Sequence, residues 1–347
     1  MDLLVITREF PPHVLGGISY HLSYLYEEVN KLGHDITVIT GKCPESEKVS
    51  SDLIPDDTTI HTVPFGSRQG YHIRFSVALW RFLAGFDTSA YDVALVHTPI
   101  PFSLQIPTIT KYHDSEREER KYRPPRELSN KILDTLVDPT RRWNDQRSLT
   151  ITDQAIFVSH LCRTAWQNHY NVSCETNVIH NGVDLSIFYP REERDHQQKY
   201  ILFVGSEERK GISRVLEYAK TAPYEVWMVG PSQTNQPNTK ALGRVSPEEL
   251  AQLYSDAVTT IHPAHFEAFG NIILESLACG TPVVATDECG AAEVIDQDCG
   301  VVTDSLQEGV CEAENLNSEA CLETARKYTW QNVAKRTIEV ISQTIDK

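Results

Sequence analysis

Short apolar runs alternate with longer amphipathic stretches along the whole chain. DLLVIT at 2–7 reads as a buried strand, and GGISYHLSYLYEEVNKLG at 16–33 as an amphipathic helix closed by Gly33. DITVIT at 35–40, TIHTVPF, YDVALVH and IPTITKYH continue the strand series, with a helical stretch at 71–86. A long polar stretch at 115–148 reads as mainly helical, broken near Pro124-Pro125. QAIFVS, a helix at 160–170 and TNVIHNGVD close the first half. Residues 188–198, FYPREERDHQQ, lack an apolar period and read as a linker. A second series follows: YILFVG at 200–205, a helix from 211, YEVWMVG at 224–230, a helix at 246–256, AVTTIHP, a further helix, TPVVAT and GVVTD. TWQNVAKRTIEVISQTI reads as a last helix. Strands separated by helices imply crossover connections and parallel sheets. The pattern predicts an α/β protein with doubly wound domains at 1–190 and 191–328, and with 329–347 packing back across the boundary. Ligands of such sheets bind beyond the carboxyl ends of the strands, so facing strand ends would enclose a cleft.

Composition narrows the classes. A chain of 347 residues, 40% hydrophobic and 23% charged, can bury two cores without staples. No run of about 18 apolar residues is present, so no membrane span is expected. The first apolar run stops at Thr7 and reads as a strand rather than a signal peptide. The formal charge of -16 makes a nucleic-acid partner a poor expectation, because phosphate backbones are gripped by excess Lys and Arg. Eight cysteines include no CxxC pair. Cys279, Cys289, Cys299, Cys311 and Cys321 are too widely spaced for a zinc site and are expected to be buried and reduced. Residues 117–147 run against the overall charge, with nine Arg/Lys and six acids. They read as a solvated helix face, or as a candidate for peripheral contact with an anionic membrane surface.

Candidate chemistry concentrates in HFEAFGNIILESLACGTPVVAT at 265–286. Glu267 and Glu275 stand eight positions apart around Phe269-Gly270-Asn271. A helix beginning near Gly270 or Asn271 offers free backbone N–H groups to an anion. The carboxylates suit hydroxyl groups rather than phosphate. A diphosphate flanked by hydroxylated rings, as in a nucleotide-sugar, fits all three features. On spacing alone, a helix capped by Glu267 with Glu275 on a solvated face is the simpler reading.

PAHFEAFGNIILESLACGTPVVATDECGAAEVI resembles the signature segment of the retaining family 4 glycosyltransferases of the GT-B fold, with Glu267 and Glu275 as their Glu-x7-Glu pair. REFPPHVLGGISYHLSYLYEEVNKLGHDITVITG, FVSHLC, VIHNGVDLSIFYP and RVSPEELAQLYSDA resemble further segments of that family in the same order, over nearly the whole chain. The resemblance implies two Rossmann-like domains facing a central cleft, with the acceptor on the first and a nucleotide-sugar on the second. It implies front-face transfer of a hexosyl unit, with retention, to a hydroxyl of a glycan, lipid-linked saccharide or small molecule. No metal or other cofactor is implied.

By the same resemblance Glu275 takes the ribose hydroxyls and Glu267 lies beside the donor sugar. Phe269, Gly270, Asn271 and Ile272 offer backbone amides, and Gly16 and Gly17 let amides of the first domain approach the leaving phosphate. Lys210 matches a phosphate-binding lysine and His113 a histidine near the transferred sugar. Ser206 stands with the donor where the family usually has arginine, so one cation is missing from the pattern. Arg209 and Arg214 are the candidates to replace it. A nucleotide-sugar 2-epimerase of similar architecture and an inactive nucleotide-sugar-binding subunit remain alternatives. His13, His97 and His180 read as structural. The expected setting is the cytoplasm, with 117–147 as the candidate for contact with the inner face of the cell membrane.

Overall fold

The computed structural model describes residues 1–50, 53–67, 70–123, 128–192 and 199–346. Two parallel sheets organise them. The first holds β1 (Asp2–Thr7), β2 (Asp35–Lys42), β3 (Thr59–Pro64), β4 (Val93–Val96), β5 (Thr108–Tyr112), β6 (Gln154–Phe157) and β7 (Glu175–Val178), in the order β3-β2-β1-β4-β5-β6-β7. The second holds β8 (Tyr200–Val204), β9 (Glu225–Val229), β10 (Thr239–Gly243), β11 (Thr259–His262), β12 (Val283–Ala285) and β13 (Gly300–Val302), in the order β10-β9-β8-β11-β12-β13. Each half therefore starts in mid-sheet, runs to one edge and crosses back to the other side. The reversal opens a crevice between β1 and β4, and another between β8 and β11, beyond their carboxyl ends. β4, β5, β6 and β11 are buried along their whole length, as strands covered by helices on both faces must be.

The helices are α1 (Gly17–Lys31), α2 (Tyr71–Leu83), α3 (Glu116–Glu119), α4 (Leu128–Ile151), α5 (His160–His169), α6 (Ile212–Tyr218), α7 (Pro247–Asp256), α8 (Ile272–Ala278), α9 (Leu306–Ala313), α10 (Ser318–Lys327) and α11 (Trp330–Ile345). α1 buries Leu22, Leu25, Tyr26 and Val29, one stripe at helical spacing. α11 lays Trp330, Val333, Ala334, Val340 and Ile341 into the same core. Burying each large apolar side chain stabilises that contact by roughly 1.5–3 kcal/mol. The end of the chain thus returns to the first sheet. Thr329 caps α11 by accepting the Asn332 N–H at 3.3 Å.

Several elements differ from the sequence pattern. β10, α9 and α10 were not expected. β10 is a half-exposed edge strand without alternation, and α10 (SEACLETARK) shows solvent mostly polar residues. The helical stretch expected at 71–86 ends at Leu83. The start of the expected linker is anchored to the second lobe: Phe188 packs on Tyr254, and the Arg191 N–H donates to Ser255 Oγ at 3.0 Å. The expected break at Pro124-Pro125 lies outside the described residues. Six of the eight cysteines are buried, Cys174 is half-buried and Cys311 is exposed. No described helix is long and apolar enough to cross a membrane.

Candidate active site

A cavity of about 350 Å³ lies between the two lobes, within the size range of small-ligand sites. Arg8 and Glu9 enter it from the end of β1, and His113 and Asp114 from the end of β5. Opposite them, Arg209 and Lys210 follow β8, and Glu267 follows β11. Every one of these groups sits past a strand's carboxyl end, as the topology requires.

The cavity gathers Gly16, Gly17, His113, Arg209, Lys210, Glu267, Phe269, Gly270, Asn271 and Ile272 from the residues singled out in the sequence. Two others stand apart. Ser206 is exposed and does not line it. Glu275 lies outside the lining, in the first turn of α8, and accepts the Tyr254 hydroxyl at 2.9 Å. Burial pushes its pKa up to about 7 against the opposing effects of Tyr254 and Lys210. Its charge still reaches α1: after burial and Asp184, Glu275 helps to raise the Tyr24 hydroxyl to about 12.

The two glycine turns differ in what they need. Gly16 has an extended backbone, and a methyl group at Gly17 would meet no protein atom within 4 Å. Packing does not demand glycine at position 17, which lines the cavity. Gly270 has φ +93°, and a methyl there would come 2.8 Å from Cys289 Sγ. Gly211, at φ +83°, is tighter still. A methyl there would lie 1.9 Å from the Pro263 carbonyl oxygen, so only glycine lets the Arg209–Lys210 turn rest on the end of β11.

Charge is distributed unevenly around that turn. Arg209 Nη1 donates to Glu267 Oε2 at 2.6 Å and its Nε lies 2.6 Å from Glu207 Oε2. Across the cleft, Glu119 Oε1 is 3.9 Å from Arg209 Nη1. Among the described residues, Lys210 Nζ has only the longer approach to Glu267, 3.9 Å. Burial alone would raise the Glu267 pKa, but Lys210, Arg209 and His262 outweigh it and hold the carboxylate below its usual range. Glu119 goes the other way. Burial, then Asp114 and Glu267, push it up to about 8. Burial also raises Asp114. Both shifts reduce negative charge in the cavity. Arg214 pairs with Asp304 at 3.4 Å in a separate groove, so Arg209 is the arginine that joins Lys210 here.

Contacts between the lobes fix the Phe269–Asn271 loop. Ser159 Oγ donates to the Ala268 carbonyl at 2.6 Å. Asn181 Nδ2 donates to Asn271 Oδ1 at 2.9 Å. The Glu293 carboxylate accepts the first two N–H groups of α5, at 3.0 and 2.9 Å, and lies 2.8 Å from His180 Nε2. His180, which the sequence reads as structural, also packs against Phe269. His13 sits in a two-residue ladder opposite Lys48. His97 has a larger part, taken up below.

The sequence did not single out Arg8, Glu9, His21, Asp114, Glu119 or Asn181, which also line the cavity. Asn181 lies within the VIHNGVD segment and Arg8-Glu9 directly follows β1, so both carried a signal. Glu119 was hidden in the basic stretch 117–147. That stretch spends much of its charge internally: Arg117 and Arg120 pair with Asp138, Arg123 and Arg141 with Glu116, and Lys121 with Glu118.

The sequence matches Glycosyltransferase Family 4 over residues 15–187 and Glycosyl transferases group 1 over residues 188–328. The chain is a family 4 glycosyltransferase of the GT-B fold. Curated relatives of this glycosyltransferase include the glycogen synthase of Mycobacterium tuberculosis, 24% identical over 98% of this chain and 94% of that protein. Another is the MMP α-(1→4)-mannosyltransferase of Mycolicibacterium hassiacum, 24% identical over 95% of each. Among solved structures, a sucrose-phosphate synthase of Thermosynechococcus elongatus superposes with a TM-score of 0.76 at 18% identity, covering 99% of this chain and 98% of that one. The Anabaena protein HepE in complex with UDP and glucose gives 0.70 at 16%, covering 99% and 100%. At these identities the structural likeness is one of fold.

Proposed function

We propose that this glycosyltransferase moves a hexosyl unit from a nucleotide-diphosphate sugar to a hydroxyl acceptor, with retention of anomeric configuration. The observation that carries the reading is the cavity itself: glycine turns of both lobes and the Arg209–Lys210 pair converge on one space. Arg209, Lys210 and the amides of residues 269–272 hold the diphosphate, with Gly16 and Gly17 closing on it from the first lobe. Glu275 accepts the ribose hydroxyls at the edge of the cleft. His113 and Glu267 flank the transferred sugar, and Glu267 also anchors Arg209. HepE, in complex with UDP and glucose, and the starch synthase IV domain of Arabidopsis, bound to ADP and acarbose, support a nucleotide donor.

In the step we propose, the acceptor oxygen bonds to the anomeric carbon on the face the phosphate leaves. The departing phosphate oxygen takes the acceptor proton, so no protein nucleophile is needed. Lys210 and Arg209 stabilise the charge that builds on that phosphate. Lobe closure keeps water from the donor. The acceptor, a glycan, lipid-linked saccharide or small molecule, enters on the first-lobe side. Bilayer contact through 117–147 forms no part of the proposal, because neighbouring acids hold many of its cations.

A thermal-shift screen against UDP-, GDP-, ADP- and dTDP-sugars tests the reading. At a hundredfold excess over Kd, the matching donor stabilises the fold by about 2.7 kcal/mol and raises Tm clearly. A flat response to all four classes contradicts it. Sugar turnover that needs no acceptor would favour the 2-epimerase instead.

A further inference from the structure

A chain of three side chains runs from the core of the first lobe to the cavity. Tyr26 Oη lies 2.5 Å from His97 Nε2, and His97 Nδ1 lies 2.9 Å from His113 Nε2. Tyr26 is fully buried and His97 nearly so. Neither lines the cavity, whereas His113 does. We propose that Tyr26 and His97 are positioning residues that lock His113 in the tautomer with its proton on Nδ1, so that the imidazole offers the bound sugar an N–H rather than a lone pair. The role for that N–H rests on the functional reading above; the tautomer itself does not.

The argument is one of direction. Among the described contacts of the Tyr26 hydroxyl, the only polar partner is His97. If Tyr26 accepted a proton from His97, its own hydrogen would be buried without an acceptor, at a cost of about 1–3 kcal/mol. Tyr26 therefore donates, and His97 Nε2 is bare. A neutral His97 must then carry its proton on Nδ1 and donate it to His113 Nε2. His113 Nε2 is thereby an acceptor, which leaves the His113 proton on Nδ1, the nitrogen with access to the cleft. The surroundings keep both rings neutral. Burial, then Lys111, lowers the His97 pKa well below its usual value, and burial, then His97, Lys111 and Arg8, does the same for His113. His21, edge-on at 4.7 Å from His113, is itself buried and held neutral by burial and Lys111. A neutral donor also suits the chemistry, since a cationic ring would oppose the positive charge that develops on the transferred sugar.

Long-range proton–nitrogen NMR correlations of the full-length protein, labelled with ¹⁵N-histidine and assigned by difference against His113→Gln, read the tautomer directly. The wild-type protein without ligand is expected to show His113 protonated on Nδ1 and bare on Nε2, the minority form of free histidine. A proton on Nε2 overturns the proposal. Tyr26→Phe keeps the ring and removes the donor, so the His113 pattern should shift toward Nε2–H. An unchanged pattern also overturns the proposal. In assays the same variant should lose roughly 10-fold in kcat, about one hydrogen bond's worth, with little change in donor KM. The expected spectra with an unchanged kcat would support the tautomer lock and would instead remove His113 from the sugar site.

Discussion

Lys210→Ala should lower kcat for sugar transfer by roughly 10²–10³-fold, the usual loss when one stabiliser of developing charge is deleted, about 2.7–4 kcal/mol. The two cations of the turn are not equivalent. Arg209 is engaged by Glu267 and Glu207 at 2.6 Å and faces Glu119, so much of its charge is already compensated. Among the described residues Lys210 has only the 3.9 Å approach to Glu267, which leaves its ammonium less compensated than Arg209. Its contribution grows as the phosphate departs, so kcat should fall far more than donor affinity. Steady-state kinetics with the donor chosen by thermal shift separate the two. A Lys210→Ala enzyme with wild-type kcat removes Lys210 from the leaving-group site. Losses at Arg209 and Lys210 should not add, because both act on one phosphate and share Glu267.

Glu275→Gln should raise stability and lower donor affinity, each in a pH-dependent way. The Glu275 carboxyl titrates near 4.5 when unperturbed and is pushed up to about 7 in the fold, mainly by burial. A raised pKa means that the folded state holds the proton more tightly. The stability from this group is fully present below about 4.5 and is lost as pH rises through about 7. At about pH 8 the ionised side chain therefore costs on the order of 1–2 kcal/mol, a figure reduced because the side chain is only partly buried. Calorimetry should show Glu275→Gln with a higher Tm than wild type near pH 8 and an equal one near pH 4. Donor affinity above neutral pH should fall by roughly 10–100-fold, since hydrogen bonds to a charged acceptor contribute about 1.5–3 kcal/mol. An equal Tm gain at both pH values would contradict the burial account. Unchanged affinity would remove Glu275 from the ribose site. A stability gain bought with lost binding is the trade expected of a functional group held in an unfavourable place.

Where the amino-acid sequence foretold this molecule, it did so through local physics. The stripe of Leu22, Leu25, Tyr26 and Val29 and the unbroken apolar strands report burial through their period alone. Gly270 and Gly211 mark turns whose backbone excludes side chains. β10 and α10 escaped because an edge strand and a polar surface helix leave little period to detect. The site divides along the same line. Lys210, Glu267 and the Phe269–Ile272 turn stood out only through the resemblance of their segments to the family, since their spacing alone favoured a simpler reading. The Glu119–Arg209 contact joins residues ninety positions apart, and Tyr26 meets His97 across seventy-one. No local spacing encodes such pairs. Ser206 shows the reverse case: the missing arginine is visible in the sequence, but only the fold shows that Arg209 rather than Arg214 reaches the cavity.

The central claim is a diphosphate seated between the two glycine turns. A crystal structure of the wild-type protein with an intact or cleaved donor tests it most directly. The account predicts the diphosphate within hydrogen-bonding distance of Lys210 Nζ and the backbone N–H groups of residues 270–272, with ribose oxygens on Glu275 and the sugar between His113 and Glu267. A diphosphate bound in another groove, such as the one beside Arg214 and Asp304, with the central cavity empty, would contradict it.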